Sequence, residues 1–247
     1  MAKWEISFVP YNLFELGTPD ITGTPDTGYP EERLYDRSRL LYWKDTGTGA
    51  LTFKVDQGAT GNVAADILIC TGHNFDGEDI DWQYDDDDSG YTDAVTQFSA
   101  TTADIVKTIS SAQTQRYWQM LVSSMTDPQA TELCIGLRYT FEVDRAGAPT
   151  IGRIANVQWA DTVDGGSRAT KYGPAKKPFQ YMLMLDATDL ASFVAMDAYF
   201  DDYENPFWFI DHLGDHYLVR FANPQRPFDV VYQQENNTQI AINLIEI

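Results

Sequence analysis

Residues Tyr29–Phe75 read YPEERLYDRSRLLYWKDTGTGALTFKVDQGATGNVAADILICTGHNF, and this stretch decides the fold. A polar loop leads to Trp43 and a Gly/Thr turn. Leu51, Phe53 and Val55 then alternate with polar residues, the period of a strand with one buried face. After a glycine-bearing loop comes Ala64–Cys70, apolar almost throughout, which runs into the Gly-His-Asn turn at 72–74. An alternating strand beside a continuous apolar one predicts two sheets packed face to face. No catalytic constellation lies in this stretch; it reads as an element for holding and binding.

Further strands are predicted at Ile80–Tyr84, Arg116–Val122 and Glu132–Glu142, separated by turn signals and with almost no helical period. The chain is therefore mainly β, with an antiparallel jelly-roll sandwich over 29–146. Ahead of it, the run TPDITGTPDTG (18–28) reads as extended loop, part of an N-terminal arm covering 1–28. The pattern breaks at Asp144–Pro149, and a smaller β-rich domain with one helix is expected over 147–247. Its elements are a strand within Ile151–Trp159, a long connection over 161–178 and a strand at Phe179–Leu185. A helix follows over about 188–203, capped by Asp186 or Thr188. Asn205-Pro206 ends it, and strands are expected near 207–210, 217–221, 228–232 and 239–247.

The 247 residues carry 37 acidic and 17 basic side chains, a net charge of −20. Phosphate binding rests on Lys and Arg, so this balance argues against nucleic-acid recognition and against docking on an anionic leaflet. A negative surface lining a channel would let DNA pass without adhering. No window approaches the ~18 apolar residues that cross a bilayer. The N-terminal MAKWEISFVPYNLFELG has no apolar run of export-signal length, so no export signal is expected. Cys70 and Cys134 sit in apolar segments without His or Cys at ligand spacing, and are expected to be buried reduced thiols.

His73 is the most tempting single residue, but no nucleophile signature lies near it. The expectation is that His73 and Asn74 tie down a strand end through side-chain-to-backbone hydrogen bonds. Asp211-His212-Leu-Gly-Asp215-His216 spaces two imidazoles four apart, which on a helix makes a zinc-binding face. Gly214 and the strand-like flanks predict a hairpin instead, where His212 and His216 need not converge. Asp85–Asp88, followed by Ser89-Gly90, lacks the ligand alternation of a helix-loop-helix calcium site and reads as an exposed turn of solvated charges, with oxygens for a hard cation such as Ca²⁺ as the other reading. Glycine-rich phosphate cradles are absent. No catalytic residue, metal ligand or cofactor is assigned, and the chain is not expected to be an enzyme. Ligand-binding candidates are Trp43, Trp82, Tyr84, Asp85 and Asp86, because aromatic faces stack on sugar rings. Core packing is the other reading of Trp43, Trp82 and Trp118.

The order of these features resembles the discoidin-like, galactose-binding jelly roll. Leu34-Tyr35-Asp36 precedes Trp43; LTFKVDQG (51–58), ADILICTGHNF (65–75), RYWQMLVSS (116–124) and ELCIGLRYTFEV (132–143) follow. Asp36-Arg37-Ser38-Arg39 replaces the Asp-Gly-Asp-type turn of the sugar-binding members. The Gly-His-Asn turn looks like versions of this domain carried by tailed-bacteriophage structural proteins. NPFWFID (205–211), YLVRF (217–221) and INLIEI (242–247) look like the end of phage tail-tip and distal tail proteins. The resemblance implies a virion structural protein of a tail tip or baseplate, assembled in the bacterial host cytoplasm. It implies a homo-oligomeric ring, hexameric first and trimeric second, between tail tube and tip or hub proteins. Segments 18–28 and 161–178 would clasp neighbouring subunits. The alternative is a carbohydrate-binding module or adhesin recognising a host surface glycan.

Overall fold

The computed structural model describes residues 4–60, 62–143, 157–161, 167–171, 175–200, 203–234 and 237–247. The chain divides into two compact units: Val9–Arg138, and a second in which Met1–Phe8 joins Tyr139–Ile247.

The Val9–Arg138 unit is an antiparallel two-sheet sandwich. One sheet runs β2 (Thr18–Ile21), β4 (Thr48–Asp56), β10 (Tyr117–Thr126), β6 (Asp79–Asp85) and β7 (Thr92–Asp93), with β8 (Phe98–Ser99) also on β6. The other runs β12 (Glu132–Gly136), β5 (Ala65–Thr71) and β9 (Ile105–Gln113). Every residue of β5 is buried, while β4 alternates through Leu51, Phe53 and Val55. These are the two strands that the opening stretch predicts, and they fall in separate sheets. A ribbon of β3 (Trp43–Lys44) and β11 (Gln129–Ala130) brings Trp43 edge-on to Phe53, with ring centroids 5.3 Å apart. A short helix, α1 (Leu13–Leu16), starts at Asn12, whose Oδ1 accepts from Phe14 N and Ile135 N while Nδ2 donates to Leu133 O.

Residues 18–28 are not a free arm. β2 pairs with β4, Thr22 N donates to Thr52 O, and Pro25 bridges Asp45. Buried Ile21 anchors the strand. Pro19 is tolerated because β2 is an edge, with one side of its backbone unpaired. The expected strand Glu132–Glu142 also divides. β12 stays in the sandwich, while β13 (Tyr139–Glu142) pairs with β1 (Glu5–Val9) in the other unit, from Phe8↔Tyr139 to Glu5↔Glu142. Between them Arg138 is held to Asp66 through its backbone N (2.8 Å) and Nε (3.1 Å). The sandwich is thus an insertion between two neighbouring strands, and Glu5–Phe8 are a paired strand rather than part of an arm. The expected boundary at 144–149 lies outside the described residues.

The second unit runs β13, β1, β17 (Phe207–Ile210), β18 (His216–Phe221), β20 (Asn237–Glu246) and β16 (Pro178–Leu185), with β19 (Phe228–Gln234) also on β20. A bridge between Val143 and Leu183 joins the two end strands. Its core is dominated by phenylalanine, including Phe8, Phe141, Phe193, Phe207, Phe209 and Phe221. Helix α2 (Ala187–Asp197) is capped by Asp186, whose carboxylate accepts from Thr188 N and Asp189 N. It ends short of the predicted 203, because Tyr199 N and Phe200 N turn back to the carbonyls of Met196 and Asp197. A hairpin of β14 (Val157–Asp161) and β15 (Ser167–Lys171) occupies part of the predicted long connection; 151–156, 162–166 and 172–174 lie outside the described residues. No helix among the described residues is long and apolar enough to cross a membrane.

Candidate functional site

Strand alternation sorts the sequence candidates. Trp82 is fully buried on β6 and tilts against Trp118 at 5.7 Å. Trp43 is equally buried. Neither indole can offer its face to a sugar, which corrects the expectation for both. Trp82 alternates with buried Ile80 on β6 and Trp43 packs edge-on to Phe53, settings where burial of a large ring contributes most. Tyr84, two residues after Trp82 and on the same face, is half-buried, with its ring 5.2 Å from that of Trp118. Asp85 and Asp86 then open the acidic turn.

That turn is pinned rather than merely solvated. Asp85 Oδ2 accepts from Ser89 N at 2.7 Å and Gly90 N at 3.1 Å. Ser89 Oγ donates to Asp87 at 2.7 Å, and the Tyr91 hydroxyl donates to Asp88. Lys54 of β4 donates to Asp88 at 3.1 Å and lies 3.0 Å from Asp20. Asp86 accepts from Arg116 N at 3.3 Å, and the Gln115 amide, once turned to face it with its nitrogen, donates to it at 2.8 Å. The Arg116 guanidinium forks Asp56 at 2.7 and 2.8 Å and lies 4.6 Å from the Tyr117 ring centroid. The backbone N–H groups of Ser89 and Gly90 hold the Asp85 carboxyl down to about 2, and Arg116 does the same to Asp56. Beside the turn, Gln119 donates to Gln83 (2.8 Å), which donates to Asp93 (2.7 Å). The result is a rim of half-exposed Tyr84, Tyr91 and Tyr117 among fixed carboxylates and planar amides. Such groups can accept from paired hydroxyls while a ring face covers apolar C–H surface. Sequence reasoning missed Lys54, Arg116, Tyr91 and Tyr117. For Lys54 the signal was present, as a polar position in the alternation of β4.

The far end of β10 is built differently. His73 Nδ1 accepts from Phe75 N at 3.2 Å, which places the ring proton on Nε2, donating to Ala103 O at 3.0 Å. Burial lowers the imidazole's pKa. Asn74 Nδ2 donates to Asp127 O at 3.0 Å and its Oδ1 accepts from Gln129 N at 2.9 Å. Gly72 has φ +58°, and a Cβ there would stand 2.4 Å from Thr131 Oγ1. Both nitrogens of His73 are committed to backbone, as the sequence reading expects.

In the second unit, β17 and β18 form the expected hairpin, with Ile210 opposite His216. His212 stacks on Trp4 at 4.7 Å and its Nδ1 lies 3.2 Å from the Tyr181 hydroxyl; His216 lies 6.0 Å from Trp208. Among the described residues no group of three or more His, Cys, Asp or Glu could hold a metal ion. Cys70 and Cys134 are free and buried, and burial pushes both thiols up.

No family model matches the chain, and no curated protein matches it. Among solved structures, it is similar to a GH29 fucosidase of Ruminococcus gnavus at 17% identity and TM-score 0.43, over 51% of this chain and 26% of that one. The chain thus spans about a quarter of the fucosidase. It is similar to chitosan-binding module 1 of a chitosanase/glucanase from Paenibacillus sp. IK-5 (16%, TM-score 0.43, 51% of this chain and 98% of that one). It is also similar to a CBM32 module of Clostridium perfringens (14%, TM-score 0.41, 51% and 98%).

Proposed function

We propose that the Val9–Arg138 sandwich is a carbohydrate-binding module with no catalytic role, which reads a glycan across the rim of Tyr84, Tyr91, Tyr117, Asp85 and Asp86. The observation that carries this reading is the pinned acidic turn. Ordering a flexible side chain on binding costs about 0.5–1.5 kcal/mol, and here Asp85, Asp86 and Asp88 are already held by Ser89, Gly90, Arg116, Tyr91 and Lys54. Rigid acceptors beside tyrosine rings suit a rigid, hydroxyl-bearing ligand. Glycan arrays with and without calcium test it. Binding is expected, and Tyr117→Ala and Asp86→Ala should each weaken it about tenfold, or ~1.4 kcal/mol, at unchanged unfolding midpoint. Arrays silent under both conditions overturn the reading.

The topology favours a second reading for the whole chain. An insertion between paired strands β1 and β13 is how a recognition lobe is grafted onto a scaffold without breaking its sheet. On this reading the phenylalanine-rich unit belongs to a tail tip or baseplate of the distal tail type and self-associates into a closed ring, hexameric first and trimeric second. Tail tube and hub proteins are its neighbours, and the sandwich meets the host glycan. Native mass spectrometry and imaging of assembled particles test it; a monomer absent from every particle overturns it.

A further inference from the structure

Glu132 opens β12 opposite Thr71 of β5 and is 1% exposed. Its carboxylate receives the backbone N–H of Arg37, yet its Oε2 has no hydrogen-bond partner. Leaving a buried carboxylate oxygen unpaired is costly when the group is charged and tolerable when it carries a proton. The cation beside it among the described residues is already engaged: the Arg37 guanidinium, 17% exposed, forks both oxygens of Glu15 on α1, with Nε at 2.5 Å. Arg37 itself holds φ at +56°, a backbone region disfavoured for a residue with a side chain. Asp36 adds a further negative charge from the same segment. The remaining titratable neighbours are Cys134 on Glu132's own strand and Cys70 on β5, with Asp104 beyond Cys70. One guanidinium thus stands among three carboxylates, one of them dry and half-satisfied.

We propose that Glu132 is a proton-operated latch on the segment 35–42. With the proton on, Glu132 is neutral, Arg37 belongs to Glu15, and the segment sits down on β12 and α1. When the proton leaves to solvent, a second uncompensated charge appears beside Glu15, and the segment, which already carries the strain at Arg37, lifts. The part that moves bears Leu40 at 92% exposure and Leu41 at 44%, so the latch sets how those two leucines are presented.

The sign follows from the environment. Burial first, then Glu15 and Asp36, raise Glu132 well above its ordinary value. A group raised in the seated state stabilises that state fully below the unfolded value of about 4.3. That stabilisation is lost as pH rises through the seated value, and between the two the seating equilibrium falls by up to about tenfold per pH unit. Acid closes the latch and alkali opens it.

Hydrogen exchange of the full chain between pH 5 and 9, corrected for intrinsic exchange, reads the latch directly. Protection of 35–42 should fall with rising pH while the amides of β10 stay unchanged, and in Glu132→Gln the same segment should be protected at every pH. Protection that is flat in the wild-type chain, or that falls equally in the variant, overturns the proposal. Should Glu132→Gln not fold, carbon-13 titration of the Glu132 carboxyl in the unaltered chain decides: a midpoint in the ordinary glutamate range overturns the latch, and one well above it supports it.

Discussion

The two ends of β10 use the same kinds of residue to opposite ends. At the Thr126 end, both ring nitrogens of His73 and the side-chain amide of Asn74 are tied to loop backbone, and Gly72 lets the turn pass against Thr131. At the Tyr117 end, Asp85, Asp86 and Asp88 are also hydrogen-bonded, but through bonds that fix their positions while leaving carboxylate lone pairs toward solvent. Polar side chains that look equally chemical in a sequence divide by where their bonds go. Inward bonds make a joint, and bonds along the surface make a presented array.

The largest test of this contrast lies between the ends, in the buried indoles. Trp118→Ala should cost about 3–5 kcal/mol in a denaturant titration of the sandwich. A folded variant of unchanged stability would mean that the ring is not core. Next is the joint: Asn74→Ala removes two side-chain bonds that span different loops and should cost about 1–3 kcal/mol. Gly72→Ala should cost more than about 1 kcal/mol, and neither should alter glycan affinity beyond what lost fold explains. If Asn74→Ala abolished binding at full stability, the assignment of joint and array would be reversed.

The smallest effect belongs to the array. Asp56 is held down to about 2 by Arg116. Its contribution is therefore complete above the unfolded value near 3.9 and is lost as pH falls through about 2. Because both partners are about one-third exposed, the pair should stabilise by no more than ~1 kcal/mol. Asp56→Asn should lower the neutral plateau of the stability–pH curve by that amount and leave stability below about pH 2 nearly unmoved, which flattens the acid limb. A larger drop at neutral pH would show that the Arg116 fork supports the fold rather than the rim.

Much of the fold was legible because hydrophobic period is a local signal. β4 with its alternation, β5 with its unbroken apolar run, and α2 with its Asp186 cap all stand where their residues place them. What was not legible depends on partners distant in sequence. Thr18–Ile21 has turn-forming composition and is a strand only because β4 offers it an edge. Glu132–Glu142 has one continuous strand pattern, and nothing local says that Arg138 bonded to Asp66 separates its two halves. At the candidate site, aromatic residue type pointed to Trp43 and Trp82, and burial removed them. Lys54, Arg116 and Tyr91 joined the site through contacts made across strands, which one-dimensional spacing does not show.

The pairing of β1 with β13 has a consequence for how the protein is made. Ser7 meets Thr140 across 133 positions, so on the ribosome the opening strand emerges long before its neighbour exists. The intervening sandwich can collapse in the meantime, whereas the surrounding sheet must wait for later synthesis, a high-contact-order step expected to be slow. During that interval the apolar Ile6 and Phe8 of the opening strand are left uncovered. Nascent chains stalled before Tyr139 should therefore be the species that chaperones hold.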